Sequence, residues 1–197
     1  MPTEPIIRNF GRIERRGWIE MITGCMFSGK TEELIRRLNR AIIAGQKVEI
    51  FKPKIDTRYS KREIVAHNSQ RIISTSVEFA NDILMLADQS NVVGIDEAQF
   101  FDKDIVEVAN QLANMKKRVI ISGLDMDYQG KPFLQVANLL ASADHVSKFQ
   151  AVCVKCGEPA NYSHRIIKSE VRVIIGEKET YEPRCRKCFF EGISKDD

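Results

Sequence analysis

The chain has 197 residues, 43% of them hydrophobic, with 30 Lys and Arg against 27 Asp and Glu for a net charge of +3. That size allows one α/β core and a small appended unit. Near-neutral charge argues against wrapping nucleic acid, which needs a dense basic face. No run reaches the roughly 18 apolar residues of a membrane span, so neither nucleic acid nor membrane is an expected partner.

The first 16 residues carry Glu4 and Glu14 and lack the apolar stretch of a signal peptide, so the expected location is cytoplasmic. They read as a basic tail, with an interaction arm as the alternative. Residues 18–23 read as a strand that runs into Gly24-Cys-Met-Phe-Ser-Gly29-Lys30-Thr31. A helix follows, with Leu34, Leu38 and Ile42 at four-residue spacing and Gly45 placed to end it. Residues 47–51 form the next strand, stopped by Pro53, and 52–62 form a polar loop. A strand at 71–74 and a helix at 78–88 precede the apolar strand 91–95, which ends in Asp96-Glu97. Then come a helix over 103–115, a strand at 118–122, a helix from Pro132 to Ala141 with proline at its first position, and a strand at 145–149. Short, nearly all-apolar strands alternating with helices imply a mainly parallel sheet covered on both faces. Near residue 150 the character changes, and beyond it only a β-prone run at 171–175 and no long helical pattern is expected.

Gly24 to Thr31 satisfies G-x-x-x-x-G-K-[ST] between a strand and a helix, the context the phosphate loop requires. Its glycines let backbone N–H groups of Cys25, Met26, Phe27 and Ser28 turn toward phosphate oxygens, and the helix adds its positive end. Lys30 reaches the β- and γ-phosphates, and the Thr31 hydroxyl is placed for Mg²⁺. Asp96, at the end of an apolar strand, is the second Mg²⁺ residue expected of such a protein, and Glu97 is free to act on a nucleophile. The fold class is therefore α/β, of the P-loop (RecA-like) kind.

Cys153-x-x-Cys156 and Cys185-x-x-Cys188 offer four thiolates in two knuckles, with 28 residues between them. One tetrahedral Zn²⁺ would use all four and leave no open position, which makes it structural. Redox pairs or idle thiols are the alternatives. Lys155, Arg184, Arg186 and Lys187 lie around the cysteines and favour thiolates. Cys25 stands apart from them as part of the loop backbone.

Over about residues 17–192 the chain resembles the small zinc-containing thymidine kinases. GCMFSGKT, KPKIDTRYS, GIDEAQFF, ISGLDMDYQGKPF, the two cysteine pairs and YEPRCRKC carry the resemblance. It implies transfer of the γ-phosphate of ATP to the 5′-hydroxyl of thymidine, with Glu97 as general base, Asp96 and Thr31 serving Mg²⁺, and Lys30 the phosphates. Gln99 falls in the family's ATP segment, and Asp56, Thr57 and Arg58 in a loop that touches phosphates. The excursion between the knuckles resembles a lasso over the base. There the backbone of Arg172, Val173, Ile174, Ile175 and Gly176 would meet thymidine together with Tyr181, with Ser163 and Arg165 nearby. Met26, Phe100, Leu124 and Tyr128 match other pocket positions. A homotetramer and feedback inhibition by thymidine triphosphate (dTTP) are further implications.

The resemblance has departures. Cys25 stands where proline or another small residue is frequent, Ser163 where threonine is common, and Ala66-His67-Asn68-Ser69 differs from the usual Ser-His-Asp-Gly. His67 is accordingly read as structural or solvent-facing. The expected layout is a tail at 1–16, a kinase domain at 17–149, a zinc-binding lasso domain at 150–192 and a tail at 193–197. Two rivals remain. One is a P-loop ATPase coupled to nucleic acid through a zinc ribbon, and the other is a nucleotide-gated regulator without turnover.

Overall fold

The computed structural model describes residues 16–55, 63–65, 71–167 and 179–196. In chain order the first half holds β1 (Trp18–Gly24), α1 (Lys30–Ile43), β2 (Val48–Pro53), β3 (Glu63–Val65), β4 (Arg71–Ile73), β5 (Thr75–Val77), α2 (Asp82–Leu86) and β6 (Val92–Ile95). Then follow α3 (Ile105–Asn114), β7 (Arg118–Gly123), α4 (Leu134–Ser142), β8 (His145–Phe149), β9 (Ala151–Val152), β10 (Pro159–Ala160), β11 (Tyr162–Arg165), β12 (Tyr181–Arg184) and α5 (Arg186–Asp196).

Six strands form one sheet in the order β5-β2-β6-β7-β1-β8, and every neighbouring pair is parallel. Successive side chains of a strand point to opposite faces, and the core divides accordingly. Ile19, Met21, Val93, Ile95, Val119 and Ile121 face α2, α3 and α4, packing with Ile83, Ile105, Val108, Leu112, Val136 and Leu139. Ile22, Ile50, Val92 and Ile120 face α1, meeting Leu34, Ile35, Leu38 and Ala41. Helix α1 approaches closely because β6 has Gly94 beneath it, where a Cβ would lie 2.8 Å from a methyl of Leu38.

The face under α1 also holds buried charge. Glu20 of β1 accepts from Arg37 Nη1 at 2.7 Å, Arg118 Nε at 2.6 Å and Trp18 Nε1 at 2.7 Å. Arg37, fully buried, donates in addition to Glu33 at 2.8 Å and to Ser147 of β8 at 2.9 Å. Burial pushes the Glu20 carboxyl up, but the Arg118 hydrogen bond and charge, with Trp18 and Arg37, outweigh it and hold the group below its ordinary 4.5.

After β8 the chain leaves the sheet for small antiparallel pairs, β9 with β10 and β11 with β12, and for α5. Phe189 of α5 is fully buried and stacks on Tyr162 with ring centroids 4.4 Å apart. The expectation of no long helical pattern here is thus corrected: α5 begins inside the second knuckle, directly after Cys185, where Arg186, Lys187 and the thiol of Cys188 hide its apolar period. The helix expected over 78–88 shrinks to Asp82–Leu86, because Ala80, Ile83 and Ala87, with Leu84 partly, find the core while Phe79, Met85 and Leu86 are exposed. Pro132 does not start α4. It closes a turn with Met126 through an isolated antiparallel bridge. The run at 171–175 lies outside the described residues.

Candidate active site

In an open parallel sheet, ligands gather beyond the carboxyl ends of the strands. Here that edge presents Gly24 from β1, Asp96 and Glu97 from β6, and Leu124 and Asp125 from β7. Strand β7 lies between β1 and β6, so two strand spacings, about 10 Å, separate the phosphate loop from the acid pair.

The loop takes the backbone that its glycines permit. Gly24 has φ 144°, and a Cβ there would lie 2.2 Å from the Phe149 carbonyl oxygen. Gly29 has φ 87° and precedes α1 without any side-chain cap, so the first N–H groups of the helix are left for a ligand. Phe27 also lies at positive φ, 64°, an unusual cost for an aromatic residue. Ser28 Oγ donates to the Cys25 carbonyl at 2.8 Å, and Lys30 Nζ donates to the same oxygen at 2.7 Å. Burial lowers the Lys30 ammonium pKa, against the pull of Glu97 and, more weakly, of Cys25, Asp96 and Asp125. The lysine therefore lies within electrostatic reach of both acids at the β6 tip. Thr31, half-buried, is the second residue of α1.

The two acids differ in environment. Asp96 is buried, accepts from the Ser122 hydroxyl of β7 and also takes the Glu97 N–H at 3.0 Å. Glu97 is half-buried and left-handed at φ 55°, a strain of order 1–3 kcal/mol for such a residue. Gln99 holds it: Nε2 donates to Glu97 Oε2 at 2.5 Å, while Oε1 accepts the Leu124 N–H at 2.9 Å. Gln99, expected beside ATP, is buried with both ends of its amide engaged by protein, which makes it a brace between the β6 and β7 tips.

The β11–β12 pair meets the loop directly. Ser163 Oγ accepts the Met26 N–H at 3.0 Å. Arg165 lies with its guanidinium carbon 3.5 Å from the Tyr128 ring centroid and 5.5 Å from that of Tyr181, and donates to the Tyr181 hydroxyl at 3.1 Å. Ser163, Arg165 and Tyr181 are buried, while Met26, Phe100, Leu124 and Tyr128 are half-buried. Asp56, Thr57 and Arg58, the stretch Arg172, Val173, Ile174, Ile175 and Gly176, and His67 lie outside the described residues.

Two residues stand out, Asp125, which sequence reasoning left unassigned, and Cys25, which it placed in the phosphate loop through its backbone alone. Asp125, 7% exposed at the β7 tip, pairs with Lys148 of β8 at 2.8 Å and is felt electrostatically by Lys30 and Cys25. The acids of the LDMD segment just past an apolar strand were the available signal. Cys25 is the other. It is not mere loop backbone: its thiol is 1% exposed and packs against Ala151, Cys153 and Ala160.

The sulfurs of Cys153, Cys156, Cys185 and Cys188 all lie within 4.8 Å of one another, with Cys156 and Cys185 3.6 Å apart. A tetrahedral ZnS₄ site with bonds of about 2.3 Å has edges of about 3.8 Å, so the cluster fits a metal such as zinc. Burial pushes the Cys153 thiol up, but backbone hydrogen bonds at Cys185, Lys155 and Cys156 outweigh it and bring it to about 6. Cys188 is pushed up to about 12, chiefly by hydrogen bonding with Cys185 and Cys156. Backbone amides, rather than the expected basic side chains, thus favour the Cys153 thiolate. Arg184 and Lys155 pair with Glu182, at 2.6 Å and 3.4 Å, and Arg186 lies over Tyr162.

The thymidine kinase family model matches residues 17–189. A thymidine kinase of Rhodothermus sp. (strain ITI 518) is 54% identical over 96% of this chain and 88% of its own length. One from Bacteroides fragilis (strain YCH46) is 55% identical over 92% of each. Among solved structures, a DNA replication initiation factor matches with a TM-score of 0.40 and 16% identity, over 69% of this chain and 40% of that one, too distant to bear on function.

Proposed function

The chain belongs to the thymidine kinase family, and from that premise we infer that it is a nucleoside kinase carrying the γ-phosphate of ATP to the 5′-hydroxyl of thymidine at the sheet edge described above. The observation that carries this reading is the placement of Glu97: a strained, half-buried carboxylate braced by Gln99, two strand spacings from the phosphate loop and within the field of Lys30.

In this reading the loop amides and the first turn of α1 hold the β- and γ-phosphates. Lys30 leaves the Cys25 carbonyl to meet them. Thr31 and Asp96 are hard oxygen donors of the kind Mg²⁺ prefers, and the ion would supply neutralisation of the phosphate charge when bound. Glu97 orients the 5′-hydroxyl and accepts its proton. Tyr128, Arg165 and Tyr181, with Met26, Phe100, Leu124 and Ser163, form the nucleoside side of the cleft, closed by the lasso. Asp56, Thr57, Arg58 and residues 172–176 are assigned to the same substrates by the family pattern alone.

Zinc is the metal we assign to the four cysteines, in a structural role. The division into a kinase domain at 17–149 and a lasso domain at 150–192 follows the change from sheet to knuckles, although α5 carries the second unit on to Asp196. A homotetramer inhibited by dTTP in the cytoplasm completes the proposal. Among the described residues, no helix is long and apolar enough to cross a membrane.

Replacing the base while keeping its shape tests the reading. Glu97→Gln is expected to lower thymidine-dependent turnover about 10²–10⁴-fold while ATP binding persists. Turnover within about threefold of the parent would remove Glu97 from the chemistry. ADP release that answers to polynucleotide instead of thymidine would replace the kinase with a nucleic-acid-coupled ATPase.

A further inference from the structure

Three consecutive residues of the phosphate loop, Cys25, Met26 and Phe27, make contacts with the cysteine module. Cys25 Sγ donates to the Ala160 carbonyl at 3.3 Å. It packs against Ala151 and Ala160, which face each other in the β9–β10 ladder, and against Cys153. That short hairpin carries the first knuckle: Cys153 N–H bonds the Glu158 carbonyl at 2.8 Å across its turn. Met26 gives its N–H to Ser163 of β11, and Phe27 packs on the same small cluster beside Cys185 and Cys188. Behind them, the root of the loop at Gly24 abuts the carbonyl of Phe149, two residues before Ala151. On the other side, Ser28 and Lys30 bond back to the Cys25 carbonyl. Cys25 therefore ties both halves together, its carbonyl to the phosphate-gripping residues and its thiol to the metal-binding hairpin.

We propose that Cys25 is a positioning residue that couples the four-cysteine metal site to the phosphate loop, so that filling either site tightens the other. The inference rests on reading residues 24–31 as the triphosphate site. Its physical basis is that neither partner is rigid alone. The loop holds Phe27 at a costly positive φ, which persists only where surrounding contacts over-determine it. The hairpin of the first knuckle is packed only around the small cluster of Cys25, Ala151, Cys153 and Ala160, too small to hold it without a metal or a neighbour. Two sites that each order the same contact raise each other's affinity by the same factor.

The test measures zinc release, not turnover. Zinc-loaded protein is mixed with a chromogenic chelator, with and without saturating ADP, while ADP binding is measured by calorimetry in the same preparation. ADP is expected to slow zinc release about 5–150-fold in the parent. Cys25→Ala is expected to lose most of that slowing, and Cys25→Ser, which keeps a small donor toward Ala160, to restore part of it. ADP binding with unchanged zinc release overturns the coupling and leaves the kinase reading intact, whereas failure to bind ADP removes both. Slowing that survives fully in Cys25→Ala overturns the role of Cys25. Should the variants not fold, the parent protein alone decides whether the two sites communicate.

Discussion

The floor beneath α1 and the module beside the phosphate loop hold their polar groups still by opposite means. Beneath α1, Arg37 and Arg118 are fixed by Glu20, Glu33 and Ser147 inside a sheet whose two faces are packed with aliphatic side chains. Beside the loop, the knuckles have four sulfurs, the Tyr162–Phe189 stack and a small shared core. The floor is held by burial accumulated over many residues, whereas the module, with the zinc proposed for its four cysteines, depends on a few strong bonds. The difference teaches where each half should fail, since a wide core tolerates loss at one point and a metal-held loop does not.

Metal removal is the harshest way to separate them. Structural zinc supplies on the order of 10–16 kcal/mol in small zinc-binding peptides. A strong chelator is expected to expose residues 150–192 to protease and to amide exchange while β1, β6 and β7 stay protected. Fragment mapping and exchange mass spectrometry read the two regions in one sample. Equal loss of protection in both would mean that the sheet does not stand by itself, and the contrast would be wrong.

The floor has its own weak point. Arg37→Met removes one cation from a fully buried network and leaves Glu20 and Glu33 without a shared partner. Breaking a buried pair in this way costs about 3–5 kcal/mol, visible as a lower urea midpoint. Zinc content per chain is expected to remain at the parent value. A loss below about 1 kcal/mol would show that the network fills space without fixing α1. A loss of zinc would show that damage to the floor crosses to the module.

The two halves were also unequally legible in the sequence. Strands β1, β6, β7 and β8 and the helices α1 and α3 declare themselves because each has enough apolar positions to show its period. The phosphate loop and the DE pair follow, since their spacing and strand context carry the chemistry. What escaped depends on contacts between distant segments. Glu20 looks like an exposed strand residue until Arg37 and Arg118 close over it. Gln99 reads as one more polar residue of the acid motif, and only the Leu124 N–H, from another strand, makes it a brace. Cys25 looks idle because its partners, Ala151 and Ala160, are more than a hundred residues away. Helix α5 is hidden by the knuckle it starts in, and α2 is overstated because local pattern cannot tell which apolar residues will reach a core.

The finest comparison lies inside the proposed cleft, between its phosphate side and its nucleoside side. The proposal puts Arg165 on the second: it sits between Tyr128 and Tyr181, bonds the Tyr181 hydroxyl and lies on β11, which pairs with β12. A buried guanidinium over an aromatic face is worth about 2 kcal/mol. Arg165→Met keeps the bulk of the stem and removes the charge, so Tyr128 and Tyr181 lose the plate that spaces them. The expected result is a rise of about 10-fold in KM for thymidine, equivalent to about 1.4 kcal/mol, with KM for ATP within about twofold of the parent. Because it is Ser163 that takes the Met26 N–H of the phosphate loop, the effect of the Arg165 change should stay on the nucleoside side. A shift of the ATP constant by the same factor would mean that the lasso base and the phosphate loop move as one body, and the division between the two sides of the cleft would have to be given up.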